Sequence, residues 1–181
     1  MKDNELIEKT ISTNYLYRGR IINVRQDQVK TYDGETAFRE VVEHPGAVAI
    51  IALNDKEEII FVRQHRQPVG TVLYEIPAGK LEAYEAPIDC ARREFIEETA
   101  LDAEEWQELF SFYPSPGFCN EKIYLFQAKG LKDAISPGKD PDENLEVIFI
   151  PFSRAEKMII SGEIIDGKTI IALQYALLQG K

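Results

Sequence analysis

Seven consecutive apolar residues, Ala47-Val48-Ala49-Ile50-Ile51-Ala52-Leu53, limit what this 181-residue chain can become. The run lacks alternation and is far too short to span a bilayer, so it reads as a strand buried on both faces. Such a strand needs apolar cover from two directions. His44-Pro45-Gly46 breaks the chain before it, and Asn54-Asp55 turns the chain after it. Residues 59–64 are expected to return as a strand antiparallel to it, followed by another at 73–76. One covering element is a helix after Pro87, where Ile88, Ala91 and Phe95 recur at helical spacing and proline suits the first turn. A second is the final helix, 166–178, with Ile170, Leu173, Ala176 and Leu177 on one side.

The remaining pattern is strand-rich. Residues 109–113, 122–126 and 145–152 read as further strands. Ser153 with Glu156 three residues on has the form of a capping box. Residues 136–144, SPGKDPDEN, form a polar loop without periodicity, which reads as a plain surface loop or, functionally, as a mobile lid. Before residue 44, short strands at 13–17, 21–24 and 40–43 surround a hairpin turn at Asp33-Gly34. This small antiparallel sheet is too thin to hold a core alone. The expectation is a mixed α/β (α+β) fold, with a mixed sheet between helices. An N-terminal β-sheet region (1–43) precedes the main domain (44–181).

The net charge of −10 argues against nucleic acid as a partner, because phosphate backbones need a basic stripe. It does not exclude a small phosphate ligand, since a divalent ion and a few arginines invert the field locally. Cys90 and Cys119 have no CxxC spacing and read as reduced packing residues. The N-terminus lacks a hydrophobic signal core, and no run approaches a membrane span. A soluble, cytoplasmic protein without a membrane partner is expected.

The helix after Pro87 carries unusual charge. Glu94, Glu97 and Glu98 stand at i, i+3 and i+4, which puts three carboxylates on adjoining parts of one face. A cation among them turns repulsion into attraction, and an oxygen-only set suits Mg²⁺, with Mn²⁺ able to substitute. Taken alone, an acidic helix face is usually just solvated, and Arg93 pairs naturally with Glu97.

The longer spacing changes the reading. Gly79, five residues, Glu85, seven residues, Arg93-Glu94-Phe95, one residue, then Glu97-Glu98-Thr99-Ala100-Leu101 resembles the Nudix box of the Nudix hydrolase superfamily. One fixed position departs: Ala100 stands where the family has a glycine that ends the helix. The flanks, residues 62–69, 75–82 and 115–121, with Pro116 after the box, are similar to the ADP-ribose pyrophosphatase branch, as is Tyr17-Arg18-Gly19-Arg20-Ile21.

The resemblance implies an α/β/α sandwich and a Mg²⁺-dependent cleavage of ADP-ribose to AMP and ribose 5-phosphate. Near alternatives are hydrolysis of another nucleoside diphosphate sugar, such as GDP-mannose or ADP-glucose, and a non-catalytic module that senses a nucleotide. It implies metal ligation by Glu94, Glu98, the Ala78 carbonyl and, further out, Glu82 and Glu85. Glu97 supports them and Arg93 orients them. Arg20, Ile21 and Glu40 are implied near the adenosine, and Arg66 near the diphosphate or base. Gly117 and Glu121, in the stretch after the box, complete the substrate side. Glu143 is the first choice for general base, with Asp142 and Glu146 behind it. The branch also implies a homodimer that exchanges its N-terminal sheets.

Overall fold

The computed structural model describes residues 6–136, 138 and 144–180. The backbone divides into two compact units, Met1–Gly46 with Tyr113–Lys122, and Ala47–Phe112 with Ile123–Lys181.

The first unit holds an antiparallel sheet in the order β1-β2-β3, formed by β1 (Lys9–Arg18), β2 (Asn23–Lys30) and β3 (Thr36–Glu43). The expected hairpin turn joins β2 to β3. Gly34 takes φ 86° there, and its N–H donates to the Thr31 carbonyl at 3.0 Å. Only Val29 and Asp27 of these strands are buried, and all of β1 is exposed, including Ile11 and Leu16. As expected, the sheet encloses no core of its own. The Tyr113–Lys122 segment adds to it through a bridge between Val42 and Cys119.

The second unit contains β4 (Ala47–Ala52), β5 (Glu58–Arg66), β6 (Thr71–Glu75), β7 (Ala78–Lys80), α1 (Pro87–Thr99), β8 (Leu101–Phe112), β9 (Ile123–Asp133), β10 (Leu145–Pro151), α2 (Phe152–Ser161) and α3 (Gly167–Leu178). One sheet runs β7-β4-β9-β8, with β4 and β9 parallel; the other runs β10-β5-β6 and is antiparallel. The pleat of β4 explains the layering. Ala49 and Ile51 join a buried cluster with Ala155 and Met158 of α2 and Leu173 and Ala176 of α3. Val48, Ile50 and Ala52 point the other way, into a cluster with Cys90, Ala91 and Phe95 of α1. Sheet material therefore has helices on both faces, and the seven-residue apolar run is buried on both, as expected.

Three local expectations are corrected. Strand β5 does not pair along β4; the two meet only at a Leu53–Ile59 bridge, and β5 pairs with β10 and β6 instead. Burial of β4 on both faces left its strand partner unspecified. Ser153 does not cap α2: the helix starts at Phe152, with Pro151 in the capping position and no side-chain cap. The strand expected at 109–113 begins at Leu101, directly after α1.

Candidate functional site

Helix α1 presents its carboxylates through a single cation. Arg93 donates from Nε and Nη2 to the two oxygens of Glu85 at 2.8 and 3.0 Å. Its Nη1 lies 2.9 Å from Glu94 and 3.0 Å from Glu97, and Nη2 reaches the Lys80 carbonyl at 3.3 Å. A planar fork with five donors is suited to collecting several carboxylates. Arg93 draws the Glu85 carboxyl down from 4.5 to about 2, so Glu85 is anionic at any ordinary pH. The bonds to Glu85, with the charge of Glu94, hold the Arg93 guanidinium well above its usual range.

Two glutamates face the strand that precedes the helix. Glu94 lies against Gly79 so closely that a Cβ there would sit 1.8 Å from its carboxyl carbon. Any side chain at position 79 would thus displace the Glu94 carboxylate, and no backbone torsion there calls for glycine. Glu98, one turn on, is buried to 3% exposure, and its Oε2 accepts the Ala78 N–H at 3.1 Å. Both carboxylates therefore converge on Ala78–Gly79, which strand β7 docks onto β4. The helix then ends as the family's glycine would end it: Ala100 adopts φ 56°, ψ 27°, and its N–H donates to the Ile96 carbonyl at 2.9 Å.

The carboxylates around the helix differ in what they touch. No three His, Cys, Asp or Glu side chains among the described residues are gathered closely enough to cage an ion. Glu85, Glu94 and Glu97 all face Arg93, and Glu82 is exposed, its N–H donating to the Glu85 carboxylate at 3.0 Å and its carbonyl accepting the Glu85 N–H at 3.2 Å. What meets at strand β7 is Glu94, Glu98 and the oxygen-bearing backbone of Ala78. That set fits Mg²⁺, which usually takes one or two carboxylates and completes its shell with water and substrate phosphate.

Arg66 is held by a partner that sequence reasoning missed. Its Nε and Nη2 each donate to Glu75 at 2.8 Å, a bidentate pair. Glu75 is 1% exposed and also contacts the Lys168 ammonium. Burial raises the Glu75 carboxyl, but Arg66 and Lys168 outweigh it and hold the group below its ordinary value. Lys168 lies 3.1 Å from Asp166, which caps α3 by accepting the Thr169 N–H at 3.0 Å. A signal existed in the sequence: a glutamate inside the apolar stretch Leu73–Ile76 must find a cation if it is buried.

Of the remaining predicted residues, Arg20, Ile21, Glu40, Gly117 and Glu121 lie in the other unit. Arg20, Ile21, Glu40 and Gly117 are exposed. Glu121 stands 3.6 Å from His44 Nδ1, which accepts the Gly46 N–H at 3.1 Å, while the His44 N–H donates to Asn120 at 2.7 Å. Glu146 pairs with Arg63 at 2.9 Å on β10 and β5. Glu143 and Asp142, and most of the expected lid, lie outside the described residues.

Residues 43–171 match the NUDIX domain family, and residues 8–42 match the nucleoside diphosphate sugar hydrolase N-terminal domain. The chain belongs to the Nudix hydrolase family. The Nudix chain is 44% identical over 173 residues to the methanol dehydrogenase activator of Bacillus methanolicus, covering 95% of this chain and 94% of that one. It is 39% identical over 175 residues to the ADP-ribose pyrophosphatase of Bacillus subtilis (strain 168), covering 96% and 95%. A solved structure of an ADP compounds hydrolase shares the Nudix fold with a TM-score of 0.83, at 19% identity and with 96% of each chain covered. The mixed α/β arrangement expected from the sequence is thus the fold of this Nudix protein.

Proposed function

We propose that this Nudix hydrolase cleaves the diphosphate of ADP-ribose, giving AMP and ribose 5-phosphate, with Mg²⁺ as the resident ion and Mn²⁺ as a substitute. The observation that carries the reading is the convergence of Glu94 and Glu98 on Ala78–Gly79. The matched N-terminal domain and the ADP-ribose pyrophosphatase relative support the substrate class. When bound, the ion neutralises phosphoryl charge and lowers the pKa of a bound water. The chain does the rest by placement. Glu94, Glu98 and the Ala78 carbonyl hold the ion, with Glu82 outside them. Arg93 fixes Glu94 and Glu97 relative to Glu85, and Glu97 orients water. The outward part of Arg66, held by Glu75, contacts the diphosphate or base. Arg20, Ile21 and Glu40 take the adenosine, Gly117 and Glu121 line the substrate, and Glu143 serves as general base.

Two copies exchange N-terminal sheets in this reading, which gives the exposed apolar residues Ile11 and Leu16 of strand β1 a partner. The chain is organised as residues 1–43 for dimerisation and 44–181 for hydrolysis. It works in the cytoplasm on a small molecule, without nucleic acid or membrane. No helix among the described residues is long and apolar enough to cross a bilayer.

A second reading rests on the relative named as an activator of methanol dehydrogenase. In it, the same site senses a nucleotide and the chain regulates a partner enzyme. Incubation with Mg²⁺ and a panel of ADP-ribose, ADP-glucose and GDP-mannose, with products separated by chromatography, decides between the readings. ADP-ribose is expected to turn over fastest. Binding without turnover of any favours the regulator, and faster GDP-mannose cleavage overturns the substrate assignment. Glu98→Gln is expected to lower kcat by at least ~100-fold, the scale for removing a group that acts on transition-state charge. Turnover near that of the wild type would remove Glu98 from the ligand set.

A further inference from the structure

The head of helix α3 grips the strand segment that faces the metal helix. Thr169 is fully buried, and its Oγ1 accepts the N–H of the equally buried Ile76 at 2.9 Å. Its one hydroxyl proton is committed to Asp166 at 2.6 Å, so the hydroxyl has a single orientation that satisfies both partners. Next to it, Lys168 holds the Glu75 carboxylate. Side chain 75 and backbone 76 are therefore fixed by two adjacent residues, 93 positions away in sequence in each case.

The next two residues pass the constraint on. Pro77 is buried and its carbonyl accepts the Ile50 N–H at 2.8 Å. The Ala78 N–H then donates to Glu98 at 3.1 Å. Three successive residues are anchored, and the last anchor is a carboxylate proposed to hold the ion. Glycine at position 79 leaves no bulk to wedge the segment against Glu94. Its position comes from the pairing of β7 with β4 and from the anchored residues 75–78 that lead into it.

We propose that Thr169 and Lys168 are positioning residues for the metal edge of the site, acting through Glu75–Ala78 on Glu98. The claim rests on the reading of Glu98 as a ligand. Supporting groups that orient a ligand commonly change metal affinity or activity by about 10–100-fold when lost.

The test is a calorimetric titration of the full chain with Mn²⁺ alone, alongside kcat and KM for ADP-ribose and a thermal melt. Thr169→Val keeps the shape, strands the Ile76 N–H, and is expected to weaken Mn²⁺ binding about tenfold and lower kcat more than it raises KM. Thr169→Ser keeps the hydroxyl and is expected to stay within about twofold of wild type on both. A Thr169→Val protein that melts lower yet binds Mn²⁺ like the wild type overturns the proposal, because only a structural role would then remain. If Thr169→Val does not fold, Lys168→Met decides the same question by the same titration, with weakened Mn²⁺ binding expected and unchanged binding overturning it. Wild-type protein that takes up no Mn²⁺ overturns both this proposal and the ligand reading. Wild-type protein that binds Mn²⁺ but cleaves no nucleoside diphosphate sugar overturns only the reaction, and the titrations still decide the positioning role.

Discussion

Ala100 ends the helix that carries Glu94 and Glu98, and it does so at φ 56°, where a Cβ crowds the following carbonyl. An L-residue in that conformation costs roughly 1–2 kcal/mol. Glycine removes that strain but loses more backbone freedom on folding, by roughly 0.5–1 kcal/mol. Ala100 is exposed, so deleting its methyl forfeits little burial, and the N–H bond to Ile96 is a backbone bond that the substitution leaves alone. The net expectation for Ala100→Gly is a gain of about 0.5–1 kcal/mol. For a chain of this length that is a rise in Tm of about 1–4 °C. Urea denaturation at constant m, with a calorimetric melt, measures it. Stability equal to or below wild type would refute the argument, since it would mean that the strain at this exit is already relieved. Ala100→Val should move the other way, because a β-branched residue is a poorer occupant of positive φ.

The other predictions test the carboxylate arrangement. Gly79→Ala is expected to push Glu94 out of place, because the new Cβ would sit 1.8 Å from its carboxyl carbon. A fall in kcat of at least about tenfold at saturating Mg²⁺ is anticipated, and wild-type kcat would mean that Glu94 does not act from that position. Acid stability should carry the signature of Glu85, whose carboxyl is lowered from 4.5 to about 2 by Arg93. A depressed carboxyl stabilises the fold above its unfolded value, and that contribution is lost as pH falls toward the folded value. The stability difference between wild type and Glu85→Gln should therefore be constant above about pH 5 and shrink between pH 4.5 and 2; a difference independent of pH in that window would rule out the assignment.

Much of the fold was legible because its signals are local. The apolar run of β4 could only be a strand covered twice, and Ile88, Ala91 and Phe95 could only be a core stripe. Partner choice was not legible. The chain from β4 to β5 looks like a hairpin, yet the two strands join different sheets, since pairing depends on distant segments such as β10 that no local window contains. The start of α2 shows the same limit. A Ser-x-x-Glu pattern predicts a cap only if the chain leaves the preceding strand at that residue, and here β10 stops at Pro151, two residues earlier.

The site divides along a similar line. Spacing within one helix is decided by helical geometry, so the face shared by Glu94, Glu97 and Glu98, and the pairing of Arg93 with Glu97, could be read from the sequence. Spacing cannot say which carboxylates a cation consumes. Arg93 takes Glu85 and Glu97 as well as touching Glu94, which leaves Glu98, the most buried of the four, bound to backbone instead. Glu75 signalled its need for a cation, but its partners were illegible, because they come from β5 and the head of α3. Removing one partner of a buried ion pair costs up to about 3–5 kcal/mol, and Glu75 is the member whose loss bears most heavily here, because it answers both Arg66 and Lys168. That penalty ties the final helix to the strand before the box. In the positioning role proposed for Lys168 and Thr169, the same grip reaches Glu98, 70 residues upstream of Lys168, through the Ala78 N–H.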